Sequence, residues 1–200
     1  MINKKEQTLV IIKPDGVQRG LIGEIIKRYE KSGLKLTGLK IVIPTNKLIE
    51  SHYLVDLNWK TKVGEKSIEA YKKKGLISPS ENPIEIGDRV LNNLKKYLTS
   101  GPIIAMVWEG MNAIAIIRKI TGGTEPLVSD VGTIRGDLTI DSYEVADSDG
   151  RAVRNLIHAS GSAEESEKEI ALWFNKNEIL SYRLVSESIL YDVNLDGILE

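Results

Sequence analysis

The chain contains no cysteine, which removes disulfides, thiolate metal sites and thiol nucleophiles from consideration. Its two histidines are not clustered with carboxylates in the sequence, so a structural zinc site is excluded as a working reading. Charge of neither sign dominates: 27 basic residues stand against 28 acidic ones, a net charge of −1. That balance supplies no overall field for nucleic acid or for a membrane surface. Basic residues are not interleaved with aromatics, which argues further against nucleic acid as a partner. No apolar run approaches membrane-spanning length, and the opening MINKKEQ has no apolar leader core, so a soluble, cytoplasmic protein is expected. Internal repeats and low-complexity tracts are also lacking.

What is present is alternation. Thr8 to Lys13 is a nearly continuous apolar run that reads as a central strand, stopped by the turn signal Lys13-Pro-Asp-Gly16. Leu21 to Lys31 has apolar residues at helical spacing and is ended by Gly33, and Leu36 to Ile43 reads as a second strand closed by Pro44. Lys47 to Leu57 reads as a helix containing His52, taken as structural or exposed, and Tyr53. The Lys72-Lys73-Lys74 run reads as a solvated helix end, Ser78 to Pro83 as loop, and Ile86, Val90, Leu94 and Tyr97 as one face of an amphipathic helix. Ile103 to Trp108 is a third strand and Ala113 to Ile120 a helix. VGTIRGD (131–137) reads as a glycine-flanked turn carrying Arg135, and Asp141 to Arg154 as loop. The β-α-β, β-α-β order predicts one domain over residues 1–200 with a ferredoxin-like βαββαβ plan, a four-stranded antiparallel sheet with helices on one face.

The chemistry concentrates in NLIHASGSAEESEKEIALWF (155–174). Asn155-Leu156-Ile157 reads as a short buried strand with His158 at its end, followed by the small Ala-Ser-Gly turn. Ser162 with Glu165 forms a capping-box pattern, so a helix is expected next, with Ile170, Trp173 and Phe174 facing inward. An imidazole between a strand end and a helix start sits among free backbone N–H groups, where phosphate is favoured. It is nucleophilic near neutral pH when one ring nitrogen is unprotonated and the other is held. Glu169 lies about three helical turns on and is placed to orient the ring, through Ser160.

Four blocks, KPDGVQRG (13–20), SGPIIAMVWEG (100–110), GTIRGD (132–137) and NLIHASGS followed by EKEIALWF, resemble the nucleoside diphosphate kinase family in content and order. The resemblance implies a ferredoxin-like fold and a phosphotransferase. In the family a nucleoside triphosphate such as ATP passes its γ-phosphoryl to histidine, and phosphohistidine passes it to a nucleoside diphosphate. By that resemblance His158 matches the phosphorylated histidine. Lys13, Tyr53, Arg118, Thr124, Arg135 and Asn155 match the nucleotide-binding residues, Lys13 also acting at the reacting phosphate, and Ser160 and Glu169 match the pair that steadies the imidazole. The implied cofactor is Mg²⁺, carried by the nucleotide phosphates rather than by protein ligands. The implied partners are nucleoside tri- and diphosphates and further copies of the chain, a hexamer favoured over a tetramer.

Three features depart from the family pattern. The chain is enlarged at about 58–96, where the Arg-Pro-Phe-Phe stretch that normally supplies the base-stacking phenylalanine is missing; Trp59 or an apolar residue of the insertion is left to replace it. A second enlargement lies at about 141–153. Gly161 stands where the family more often has aspartate. The alternative reading is a catalytically idle nucleotide-binding protein of the same fold.

Overall fold

The computed structural model describes residues 5–196 except 74, 76 and 193; Lys74 of the basic run therefore lies outside the described residues. The elements run β1 (Lys5–Ile12), α1 (Pro14–Gln18), α2 (Ile22–Glu30), β2 (Lys35–Val42), α3 (Asn46–Tyr53), α4 (Trp59–Lys73) and α5 (Pro83–Leu98). They continue with β3 (Ile103–Met111), α6 (Ala113–Thr121), α7 (Ile134–Leu138), α8 (Tyr143–Ser148), β4 (Ile157–Ala159), α9 (Ala163–Trp173) and α10 (Glu187–Leu190). The strands form one sheet in the order β2-β3-β1-β4, and each neighbouring pair is antiparallel. This is the ferredoxin-like arrangement expected from the sequence.

Helices cover both faces of the sheet, not one. Val10 and Ile12 of β1, with Ile104, Met106 and Trp108 of β3, pack under Ile25 and Tyr29 of α2 and Ile117 of α6. The alternate residues Leu9, Ile11, Ile103, Ala105 and Val107 pack against Ile49 of α3, Leu98 of α5 and Ile170 and Trp173 of α9. The reason lies in the strands themselves: β1 and β3 are apolar at consecutive positions, which places apolar side chains on both faces.

Beyond the turn at Lys13–Gly16, which opens the short helix α1, and α3, which stops at Tyr53, three segments near the cavity differ from their sequence reading. Arg135 lies in the first turn of a short helix, α7, whose start is capped by Thr133 accepting from the Gly136 N–H at 3.0 Å. The stretch 141–153 contains α8, capped by Ser142, which accepts from the Val145 N–H at 3.2 Å. Arg151 grips Asp141 with two N–H···O contacts of 2.6 and 2.9 Å, which closes this segment on itself. The third is the approach to His158. Leu156 has a positive φ of 63°, so β4 starts only at Ile157 instead of Asn155, and His158 is its middle residue.

Helices α4 and α5 form a hairpin whose axes approach through glycine. A Cβ at Gly64 would lie 1.9 Å from the Pro83 carbonyl oxygen, and one at Gly87 would lie 2.4 Å from that of Lys60. Both obstacles are backbone, which cannot swing aside. Gly64→Ala or Gly87→Ala should therefore lower stability by roughly 1–3 kcal/mol through overpacking. Gly23→Ala, in a helix and with nothing within 4 Å of its Cβ, should not destabilise. Urea melts of the three variants check this, and equal midpoints for all three would contradict it.

Candidate active site

The site is assembled where the ends of β1 and β4 meet α9. Pairing of Ile11 with His158 across β1 and β4 fixes the histidine backbone. The kink at Leu156 is held from three sides. Lys13 N–H donates to the Leu156 carbonyl at 2.8 Å, the Leu156 N–H donates to Asp15 Oδ2 at 3.3 Å, and Arg135 Nε donates to the Asn155 carbonyl at 3.0 Å. A non-glycine residue at positive φ costs on the order of 1 kcal/mol and persists only where its surroundings enforce it. Here they turn the Asn155 side chain toward Lys13, whose Nζ donates to Asn155 Oδ1 at 2.6 Å, while Asn155 Nδ2 donates to the Thr124 carbonyl at 2.8 Å.

His158 is steadied by Glu169. Its Nε2 lies 2.9 and 3.0 Å from the two carboxylate oxygens. Ser160 Oγ donates to Glu169 Oε2 at 2.6 Å and accepts from the Leu9 N–H at 3.3 Å, which ties the carboxylate to β1. A buried carboxylate without donors would be costly; Glu169, 1% exposed, is surrounded by them. A carboxylate accepts, so Nε2 carries the ring proton. Nδ1 is then the unprotonated nitrogen, with no hydrogen-bond partner among the described residues, on a side chain that lines the cavity.

That cavity has a volume of about 1510 Å³, above the roughly 300–1,000 Å³ of ordinary ligand pockets. It brings together Lys13, Tyr53, Arg118, Thr124, Arg135, Asn155 and His158, and Glu169 and Ser160 support the histidine from behind. One wall is the α4–α5 hairpin, with Trp59, Val63, Tyr71 and Val90; the opposite wall includes Tyr143, Asp147 and Arg151. Tyr71 and Asp147, one from each wall, both line the cavity, and the Asp147 charge acts on the Tyr71 hydroxyl. Trp59 lies 5.1 Å from Tyr53, ring to ring, and gives the cavity an aromatic wall.

The cations are not equivalent. Arg118, in the last turn of α6, is exposed and lines the cavity. Arg135 is buried and used as a strut, donating to the carbonyls of Asn155, Gly122, Gly123 and Ile157. Lys13 is 4% exposed, and burial together with the nearby Arg135 charge pushes its pKa down to about 7.

Sequence reasoning missed His52 as a member of this site. It is 3% exposed, its ring lies 4.4 Å from that of His158, and its Nδ1 accepts from the Trp173 indole N–H at 3.2 Å. A signal was available: His52 falls three residues after buried Ile49, on the inward stripe of α3. The capping box also closes differently. Ser162 Oγ accepts from the Glu165 N–H at 3.2 Å, but the Glu165 carboxylate receives the Gly161 N–H at 2.6 Å, one residue ahead of the cap.

His52, His158 and Glu169 have potential metal-binding atoms within 4.8 Å of one another. His158 Nε2 and His52 Nδ1 are already engaged with Glu169 and Trp173, and imidazole donors suit a transition ion, whereas Mg²⁺ prefers oxygen and retains water.

The family model described as nucleoside diphosphate kinase matches residues 6–63 and 85–179. The chain is 46% identical over 180 residues to a nucleoside diphosphate kinase of Pyrobaculum aerophilum, covering 88% of this chain and 98% of that one. It is 40% identical over 187 residues to human nucleoside diphosphate kinase A, covering 94% and 97%. Among solved structures, the NDP kinase of Pyrobaculum aerophilum superposes with a TM-score of 0.85 at 44% identity, covering 88% of this chain and all (100%) of that one. The Borrelia burgdorferi nucleoside-diphosphate kinase, solved as a transition-state mimic with vanadate and ADP, has a TM-score of 0.77 at 34% identity, covering 94% and 98%.

Burial pushes both His52 and His158 down to about 3. Unfolding restores ordinary histidine behaviour, so between about pH 6.5 and 3 the unfolded chain binds protons that the native one excludes. Stability should therefore fall as pH drops below about 6.5, by up to about 1.4 kcal/mol per pH unit for each histidine. Glu169, whose pKa burial raises, offsets part of this at the acid end. Urea midpoints at pH 7.5, 6.0 and 5.0 check the sign; a midpoint that rose on acidification would contradict it.

Proposed function

This chain belongs to the nucleoside diphosphate kinase family, a phosphotransferase family, and from that premise we propose that it moves the γ-phosphoryl of ATP or another nucleoside triphosphate onto a nucleoside diphosphate through phosphohistidine at His158. The observation that carries the proposal is the held imidazole: Nε2 bonded to Glu169 at 2.9 Å, Nδ1 without a protein partner among the described residues. In the first half-reaction the Nδ1 lone pair attacks the γ-phosphorus, an N–P bond forms, and the bond to the β-phosphate oxygen breaks, releasing the nucleoside diphosphate. The second half reverses these steps with a different diphosphate. Each is a displacement that asks mainly for in-line positioning and neutralised oxygens. Splitting the transfer lets one cavity serve donor and acceptor in turn.

Lys13 and Arg118 contact the phosphates in this reading, the lysine as a point charge and the arginine as a fork. Four of the five guanidinium N–H groups of Arg135 are engaged with carbonyls, so it lends the phosphates its charge and its remaining donor. Tyr53, Thr124 and Asn155 complete the nucleotide site, and Trp59, beside Tyr53, takes the base. The family's chemistry uses a divalent metal. We take it to be Mg²⁺, which would arrive with the nucleotide and would neutralise phosphate charge; the lining carries no dedicated oxygen cage among the described residues.

In the same reading one domain spans residues 1–200, carrying enlargements at about 58–96 and 141–153; the family model leaves residues 64–84 unmatched, which supports the first of these. Among the described residues no helix is long and apolar enough to cross a membrane, and cytoplasmic residence is inferred. The outer strand β2 leaves Leu39 50% and Ile41 63% exposed, which supports assembly of further copies; a hexamer is favoured over a tetramer by the family resemblance alone.

Incubation with γ-labelled ATP and Mg²⁺ should give acid-labile label on the wild type and none on His158→Ala, and unlabelled GDP should then release it as labelled GTP. A wild type that binds ATP yet takes no label would replace this reading with idle nucleotide binding.

A further inference from the structure

We propose that His52 is a positioning residue for His158: an imidazole that its buried setting and the Trp173 N–H together keep uncharged, walling one side of the reactive ring and leaving Glu169 to His158 and Ser160. The inference rests on the phosphohistidine reading above. It starts from a donor inventory. An indole N–H can only donate, and it lies 3.2 Å from His52 Nδ1; that nitrogen must therefore present its lone pair, and the ring proton is on Nε2. Glu169 Oε1 lies 3.4 Å from the same Nδ1, but with the lone pair turned toward the indole this contact is not an ion pair. The carboxylate is free to serve His158 and Ser160.

The ring of His52 meets that of His158 at 4.4 Å and 83°, an edge-on contact that limits rotation of the reactive imidazole about its Cβ–Cγ bond. A protonated His52 would do two things. It would draw Glu169 Oε1 away from His158 Nε2, and it would set a positive charge against the nucleophile. Both lower the reactivity of Nδ1. The groups that face His52 are His158 on β4, Glu169 on α9, Lys13 at the end of β1 and Tyr53 on its own helix. Of these only the Glu169 carboxylate favours a protonated ring; burial is the larger opposing influence, and the indole N–H adds to it by occupying the Nδ1 lone pair that would take the proton. The device joins α3 to α9 behind the nucleophile, at a sequence separation of 121 residues.

The test compares wild type, Trp173→Phe and the double variant Trp173→Phe/His52→Gln between pH 7.5 and 5.5, measuring kcat and the nucleotide KM. Loss of the indole donor, with burial unchanged, should raise the protonation midpoint of His52 above its wild-type value while leaving it below the ordinary value of about 6.5. Relative to wild type, kcat of Trp173→Phe should then fall a few-fold further toward pH 5.5 with KM little changed, because the loss grows as pH approaches the raised midpoint from above. The double variant, with nothing to protonate at position 52, should return to the wild-type slope. A lower rate that is parallel to wild type at every pH would mean that Trp173 acts only through packing, and the proposal would fail. It would fail equally if the extra slope persisted in the double variant. Nitrogen chemical shifts of wild-type His52 at pH 5.5 give a readout independent of catalysis: Nδ1 unprotonated and Nε2 protonated are expected, and an imidazolium would overturn the proposal. Absence of phosphoryl transfer in the wild type would instead count against the phosphohistidine reading, with the tautomer result still deciding this one.

Discussion

The two oxygens of Glu169 lie 2.9 and 3.0 Å from His158 Nε2, and the remainder of the site is arranged around that contact. It selects one tautomer, fixes the plane of the ring and leaves Nδ1 as the nitrogen that lines the cavity. A carboxylate 1% exposed is tolerable only with several donors, so Ser160 and the β1 backbone behind it are part of the same unit. The sheet contributes by alternation. β1 delivers Leu9 to the carboxylate side of the fold and, at its end, Lys13 to the cavity.

Much of this was legible in the chain. The apolar runs 8–13 and 103–108, the helical spacing of 22, 25, 26 and 29, and the capping signal at Ser162 led to the right elements in the right order, because each depends on local periodicity. His158, Ser160 and Glu169 could be grouped because a turn and three helical turns relate them. Features made by long-range contact were not legible. The positive φ of Leu156 is imposed by Lys13, Asp15 and Arg135, none of which is near it in sequence, and it moves the start of β4. Arg135 reads as a free guanidinium in a turn, yet four carbonyls claim it. His52 carried a clue in its spacing from Ile49, but its pairing with Trp173 belongs to the packing of α3 on α9.

The segments outside the common plan do more than decorate it. The α4–α5 hairpin, drawn close at Gly64 and Gly87, and the folded stretch around α8 form facing walls that bring Tyr71 and Asp147 to one cavity. They enlarge and shelter a cleft whose floor is the sheet end. Sheltering lowers the local dielectric, which strengthens interaction between the phosphates and Lys13, Arg118 and Arg135. It is also why Lys13 is held well below an ordinary lysine. On the far side, Lys35 joins Glu109 at 2.8 Å and Glu187 at 3.1 Å, which pins α10 to the opposite end of β2 and β3, away from the chemistry.

The central claim concerns which ring nitrogen reacts. Phosphorylating the ¹⁵N-histidine-labelled protein with ATP and Mg²⁺, then correlating ¹⁵N with ³¹P and ring protons, identifies the N–P bond directly. The geometry predicts phosphate on Nδ1 of His158, with Nε2 still protonated against Glu169. Phosphate on Nε2 would mean that the Glu169 contact is broken during the reaction, and the account built on it would not stand.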